Sequence, residues 1–433
     1  MKILGGRHRG GRTVLGVLTF FVTTAVLAAC GTVAGKPEAG EFDIRKLSVG
    51  KYPTDPLDVR ASFTHSPFNG RELATARLAD AVVTGPDVDP SFTHGVLSIS
   101  LQISVGLQSV LSLSAKPVVE RNDMMFGYAA SASTKEISEA SDAVGPLVFS
   151  PFGGKKPDPD ATSFNATVFQ FSDQQRAAAA AEQMEAADFD VAADQNQRVA
   201  VDKYPDAKSH WRPGIPSMGT TMAHGQYVIS VFVQQPQPEI AGLKNLTQKV
   251  LDAQLRLLDQ TPPLSARDVL RLDYDPQGML RRTLHPGNTP RPAADTEVTR
   301  TPRGFLHNVD DQAKWKSLLG DNGVDSTATA RDGALLLRAR DATAATALWS
   351  GITSAATTPA DKPTDVPGTA CTETNKPAKP HRIEQEEAWD NSDRFVCTLH
   401  YGRYVAQVAG TQLSDVTQRA AAQYALLVNS QYM

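Results

Sequence analysis

Two stretches of the chain carry one pattern of apolar and polar positions. In the first, Val168, Phe169 and Phe171 make residues 167–171 read as a strand, Asp173 stands where a helix cap is needed, and the Ala-rich residues 174–187 supply the helix. In the second, residues 335–339 are the strand, Asp341 is the cap and residues 342–350 the helix. Further on, Gly225-Gln226-Tyr227-Val228-Ile229-Ser230-Val231 matches Gly402-Arg403-Tyr404-Val405-Ala406-Gln407-Val408, a shared Gly-x-Tyr-Val-x-x-Val at a separation of 177 residues. An amphipathic helix follows each: Ile240, Leu243, Leu246, Val250 and Leu255 in one case, Val416, Ala420, Tyr424 and Leu427 in the other. The two Asp caps are 168 residues apart, so the copies differ by nine residues in an intervening loop, a change that loops absorb at low cost.

Each copy therefore reads as strand, helix, long loop, hairpin, helix. The hairpins are expected at 219–223 with 226–233 and at 394–399 with 403–408, with Gly225 and Gly402 serving the turns. Ahead of the first copy, Leu73, Ala76, Leu78, Ala79 and Val82 predict a helix over 70–83, and the prolines at 53, 56 and 67 favour extended chain over 42–68. Leu97, Ile99, Leu101, Ile103, Val105 and Leu107 alternate with mostly Ser or Gln, the pattern of a strand with one wet face; a lipid-touching stripe is the rival. Pro262-Pro263 and residues 275–292 separate the copies and read as a linker carrying some structure of its own. The expected class is α+β: two related β-α-β-β-α halves with antiparallel sheets packed by helices, over 63–265 and 266–433.

The start of the chain adds a location. Lys2, Arg7, Arg9 and Arg12 precede an apolar run over 14–28 that is too short for a stable membrane span of about 20 residues. It ends in Leu27-Ala28-Ala29-Cys30, a small-residue tripeptide before a Cys, which marks a bacterial lipoprotein signal. Cleavage after residue 29 and acylation of Cys30 are expected, with residues 30–62 as lipidated tether and extended lead-in. Removing residues 1–29, with four basic and no acidic side chains, takes the formal net charge from −4 to −8. That surface repels nucleic acid, and no basic cluster with interleaved aromatics follows Cys30. Cys371 and Cys397 then remain as an even pair in an oxidising compartment, with 25 residues between them, and are expected to form a disulfide pinning the long loop to the hairpin.

Candidate chemistry is sparse. Gly-x-Ser-x-Gly, His-Glu-x-x-His, phosphate-loop and dinucleotide signatures do not occur in the mature chain, and no cofactor is implied. Tyr204, His210, Trp211 and Arg212 crowd into the expected long loop of the first copy, a set of aromatic and cationic side chains suited to ligand binding or to plugging the loop onto the sheet. Trp389 and Arg394 sit at the corresponding point of the second copy. His381 with Glu384, Glu386 and Glu387 is the nearest approach to a metal cluster and reads as a solvated acidic face. Arg281, Arg282 and His285, close to Asp273 and Asp275, read as a salt-bridged linker surface.

The lipobox, the Tyr52-Pro53-Thr54 opening, the Arg77-Leu78-Ala79 helix, the Leu272-Asp273-x-x-Pro276-x-Gly278-Met279 joint and the duplicated halves together resemble an actinobacterial family of envelope lipoproteins with paired N- and C-terminal domains. The resemblance spans nearly all of the mature chain and implies location and layout, not an activity. Three roles are compatible with it. A non-enzymatic ligand-binding or sensing protein, held to the membrane by acylated Cys30 and using the groove between the copies for an envelope lipid or protein, is the leading expectation. An interaction scaffold and a hydrolase acting on envelope lipid or glycan are the alternatives.

Overall fold

The computed structural model describes residues 43–61, 63–102, 107, 110–136, 158–287, 290–331, 334–354, 358–373 and 393–433. Lys46–Met433 forms one compact unit. Cys30 and its leader, the outer part of the 97–107 alternation, the 381–387 cluster and Trp389 lie outside the described residues.

The first half builds a seven-stranded antiparallel sheet from β1 (His94–Leu101), β2 (Met124–Ser133), β3 (Ser163–Phe171), β4 (Gln197–Val201), β5 (Tyr204–Trp211), β6 (Ser217–His224) and β7 (Tyr227–Gln234), in the order β1-β2-β3-β7-β6-β5-β4. The second half uses β8 (Val298–Arg300), β9 (Ser326–Ala330), β10 (Ala334–Arg338), β11 (Pro359–Ala360), β12 (Thr369–Glu373), β13 (Phe395–Tyr401) and β14 (Tyr404–Gly410), in the order β8-β9-β10-β14-β13-β12-β11. Strand for strand the two orders are the same. Register agrees too: Val168 faces Ile229 and Leu336 faces Ala406, which keeps both offsets of the sequence repeat.

The expected β-α-β-β-α series is the centre of each half, and four more strands flank it. Of these, β1 is where the 97–107 alternation already predicts a strand; the flanking strands of the second half left little apolar pattern because they are short and small or polar, as in Ser326-Thr327-Ala328-Thr329-Ala330. Gln197 and Arg198 open the edge strand β4, and exposed polar side chains keep such an edge from pairing with another chain.

Six longer helices cover the sheets: α1 (Pro67–Ala79), α2 (Gln174–Phe189), α3 (Ile240–Leu258), α4 (Gln312–Asp321), α5 (Ala342–Thr353) and α6 (Leu413–Asn429). Asp173 accepts from the Arg176 N–H at 2.8 Å and Asp341 from the Ala344 N–H at 2.8 Å, so both caps act as their spacing predicts. β3 is buried along its whole length because both faces are covered. Phe169 and Phe171 pack with Ala177, Ala180 and Ala181 of α2, while Phe164, Ala166 and Val168 pack with Leu243, Leu246 and Val250 of α3. Each fully buried Val, Leu or Phe contributes roughly 1.5–3 kcal/mol.

A buried glutamine marks the duplication at side-chain level. On α3, Gln254 accepts from the Val83 N–H at 3.1 Å and donates to the Ala81 carbonyl at 2.7 Å. On α6, Gln423 accepts from the Leu284 N–H at 2.8 Å and donates to the Arg282 carbonyl at 2.8 Å. In both halves the closing helix thus grips a turn that precedes the first strand, and both glutamines are fully buried.

The halves meet around α1, which contacts β8 and the short helix Pro302–Leu306. Asp80 accepts from the Thr301 N–H and hydroxyl at 3.1 and 2.7 Å, His307 Nε2 donates to the Ala79 carbonyl at 3.1 Å, and Asp87 pairs with Arg303 and, at 3.6 Å, with Lys316. The edge of β1 is sealed by the Gly95 N–H to the Asp310 carbonyl and the Gln312 N–H to the Thr93 carbonyl. Ser98 is consequently buried along with Leu97 and Ile99, so the polar face that alternation suggested is covered there and opens only at Ser100.

Two further expectations are corrected. Residues 275–285 are core rather than linker: Asp275, Met279, Leu280 and Leu284 are fully buried, and Arg282 and His285 nearly so. Asp275 organises this turn by accepting from the Leu280 and Arg281 N–H groups. Cys371 lies in strand β12 rather than a loop, directly opposite Cys397 on β13, and the two form the expected disulfide.

Candidate ligand-binding groove

Ser66 caps α1 through the Asn69 N–H, and Pro67 holds the first helical position, where its missing N–H costs nothing. The helix therefore starts where an extended lead-in was expected, and its first turn carries Phe68 outward with 60% of its surface exposed. Phe63 stacks on Tyr274 at 5.4 Å just ahead of it.

On one side of this turn lies a cavity of about 800 Å³ built by both halves: Phe63, Phe68 and Glu72 from α1 and its approach, Ser100 and Gln102 from the end of β1, and Arg291, Asp295 and Arg331 from the second half. On the other side lies a cavity of about 740 Å³, walled by Pro67, Met124, Met125, Val269 and Leu270 with Arg71, Glu120 and Asp123 at its margin. Gln102 borders both. Its amide donates to Glu72, which also accepts from the Ala294 N–H at 2.7 Å, and Ser100 donates to Asp295. These bonds tie the two halves together along the floor of the groove.

The four residues singled out from the sequence do not converge there, or on one another. Tyr204 to Trp211 is strand β5, not loop. Tyr204 donates to Asp252 of α3; burial first, then that bond, push its hydroxyl well above the usual range. Burial works against ionised Asp252, yet Lys203 and Tyr204 hold its carboxyl below its usual value. Trp211, at the far end of the strand, packs against the α3-side core and donates to the Ile215 carbonyl at 2.7 Å, which is the plug role. Arg212 is exposed beyond the strand end.

His210 points to the opposite face, toward α2. Its ring nitrogens lie 3.6 Å from Glu185 and 3.7 Å from Asp188, and Glu185 is also paired with Arg198 at 2.6 Å. Burial raises the Glu185 carboxyl, but His210 and Arg198 outweigh it and leave the group below its usual value. Glu185 went unnoticed in the Ala-rich helix; an acid on that helix's otherwise small, buried face was its only trace. Phe68 was missed as well, although Ser66-Pro67 is a helix-start pair.

Residues 62–274 match the family described as domain of unknown function (DUF7373) N-terminal, and residues 279–430 match its C-terminal counterpart. The chain belongs to the DUF7373 family. The two DUF7373 matches part at residues 274–279, the buried turn between the halves, and the groove draws on both. No curated protein matches the chain. Among solved structures, the extracellular domain of PknH from Mycobacterium tuberculosis is similar at 10% identity, with 45% of this chain and 100% of that chain covered and a TM-score of 0.30.

Proposed function

We propose that this DUF7373 protein is a lipid-anchored, extracytoplasmic binding protein of the cell envelope, of the actinobacterial lipoprotein type, and that it works by holding a ligand rather than by catalysis. The groove beside α1 carries the reading. Ligand sites favour concave junctions between domains, with apolar walls and a few fixed polar groups; the larger cavity draws a mostly polar lining from both halves, and the cavity beside it supplies the apolar walls. The leader ending in Leu27-Ala28-Ala29-Cys30 supports the anchor, and the Cys371–Cys397 bond suits an oxidising compartment.

Two measurements test this. The mature protein isolated from its own envelope should begin at Cys30 and carry acyl mass there; an unacylated chain removes the anchor. Native mass spectrometry after gentle extraction from the same membrane should show a retained ligand that is lost when the groove is blocked, for example by Ser100→Trp. A ligand-free protein in both forms removes the binding role.

A further inference from the structure

We infer that the two cavities flanking the first turn of α1 act as one bipartite site for an anionic amphiphile, its charged head beside Arg291 and Arg331 and its acyl chain along Met124, Val269 and Leu270. This rests on the binding reading above and specifies its ligand class.

The charges around the groove are unevenly satisfied. Its acids are engaged: Glu72 accepts from Gln102 and the Ala294 N–H, Asp295 accepts from Ser100, Asp123 pairs with Arg176 at 2.6 Å, and Glu120 lies 3.9 Å from Lys116. Its arginines are not: among the described residues, Arg71, Arg291 and Arg331 enter no ion pair, although the described surface is rich in such pairs. A ligand entering the larger cavity therefore meets unspent guanidinium groups, which match carboxylate or phosphate oxygens in forked geometry.

The second cavity continues from the first at Gln102 and differs in kind. Pro67, Met124, Met125, Val269 and Leu270 give it carbon walls, and the methionines suit an irregular, flexible chain. Phe68 at 60% and Leu270 at 39% exposure are two of the few large apolar side chains left to water, and both border this groove. A purely polar anion would leave this half empty, and an uncharged apolar ligand would leave the arginines unmatched.

The test uses the mature chain with Cys30→Ser, so that its own acyl group does not compete, and three probes below their micelle concentrations: palmitoyl-lysophosphatidylglycerol, the phosphatidylcholine analogue with the same chain, and glycerol 3-phosphate. Calorimetric titration and native mass spectrometry should show one lysophosphatidylglycerol bound, at least about tenfold more tightly than the choline lipid, whose trimethylammonium cation offsets the attraction of its phosphate to Arg291 and Arg331. Glycerol 3-phosphate should not displace it. Arg291→Glu with Arg331→Glu should abolish the preference between the lipids, while Leu270→Glu should weaken both. All three positions are solvent-exposed, so the variants should keep the wild-type melting temperature and circular dichroism. Equal affinity for the two lipids, displacement by glycerol 3-phosphate, or a double variant that binds as the parent does would each overturn the inference. If no lysolipid binds but a different molecule is retained from the native membrane, the ligand class is wrong and the binding role stands.

Discussion

The hydroxyls of Ser209 and Thr220 share a 2.8 Å hydrogen bond at the position where, one repeat later, Cys371 and Cys397 share a disulfide. Thr220 lies opposite Ser209 on β5 and Val231 on β7; Cys397 lies opposite Cys371 on β12 and Val408 on β14. Val231 and Val408 are the same residue of the repeated Gly-x-Tyr-Val-x-x-Val, so the two pairs are equivalent sites with different chemistry.

This equivalence predicts that the pairs can be exchanged. Cys371→Ser with Cys397→Thr should fold with its hairpin intact and lose about 3 kcal/mol, the loop-closure contribution for a loop of this size, less about 1 kcal/mol returned by the new hydrogen bond. The converse variant, Ser209→Cys with Thr220→Cys, should oxidise to a second staple and gain about 2 kcal/mol over its reduced form. Denaturant midpoints with and without reductant measure both. Free thiols persisting at 209 and 220 under oxidising conditions would show that the sites are not equivalent.

The paired glutamine clamps should be equally costly to remove. Gln254→Leu and Gln423→Leu each preserve volume but leave a buried N–H and a buried carbonyl without partners, on segments 81–83 and 282–284. Each unsatisfied group costs about 1–3 kcal/mol, so losses of roughly 2–5 kcal/mol are expected, near the top of what single substitutions do. Urea unfolding should return similar values for the two; a loss below 1 kcal/mol in either would mean that water replaces the clamp there.

Gly225 and Gly402 adopt φ of 57° and 52°, and a Cβ at either would meet nothing within 4 Å. The cost of alanine is therefore the left-handed backbone alone, about 1 kcal/mol at each turn. Asparagine, which tolerates that conformation, should recover part of it at both. A much larger loss at one turn only would point to a contact that the geometry does not contain.

What could be read from the sequence was what is local or repeated. Asp173 and Asp341 cap within one turn of themselves, and the Gly-x-Tyr-Val-x-x-Val strands lie at the centre of each sheet, where burial on both faces writes an apolar run. The outer strands left less trace: the edge strand β4 has one neighbour and tolerates Gln197 and Arg198, while β9, paired on both sides, is built of Ser, Thr and Ala, whose small side chains write no apolar run. Tyr204 to Arg212 looked like a binding loop because aromatic and cationic residues are clustered there. In a strand, however, successive side chains face opposite ways, and His210 and Trp211 end on different sides of the sheet. The groove was illegible for a different reason: Phe68, Gln102 and Leu270 come from segments far apart in the first half, and Arg331 joins them only by the packing of the second half on the first.

That packing predicts an unusual pH response. His307 is wholly buried between the halves, and burial drives its pKa down to about 4 against an ordinary 6.5; Asp80, one residue past the carbonyl that His307 holds, is driven up to about 6 by burial despite its bonds from Thr301. A depressed histidine favours folding above its unfolded pKa, so its contribution, at most about 3 kcal/mol, is lost as pH falls from 6.5 toward 4. A raised carboxyl has the opposite sign: its contribution is complete below 3.8 and is lost as pH rises through 6, by a comparable amount less what water screens at the half-buried group. In the parent the two slopes oppose each other between pH 4 and 6. Asp80→Asn should therefore expose a protein that weakens on acidification across that window, and His307→Gln, which can still donate to Ala79, one that weakens as pH rises across it. Urea midpoints at half-unit steps separate the cases, and slopes of the same sign in both variants would show that neither group carries the response.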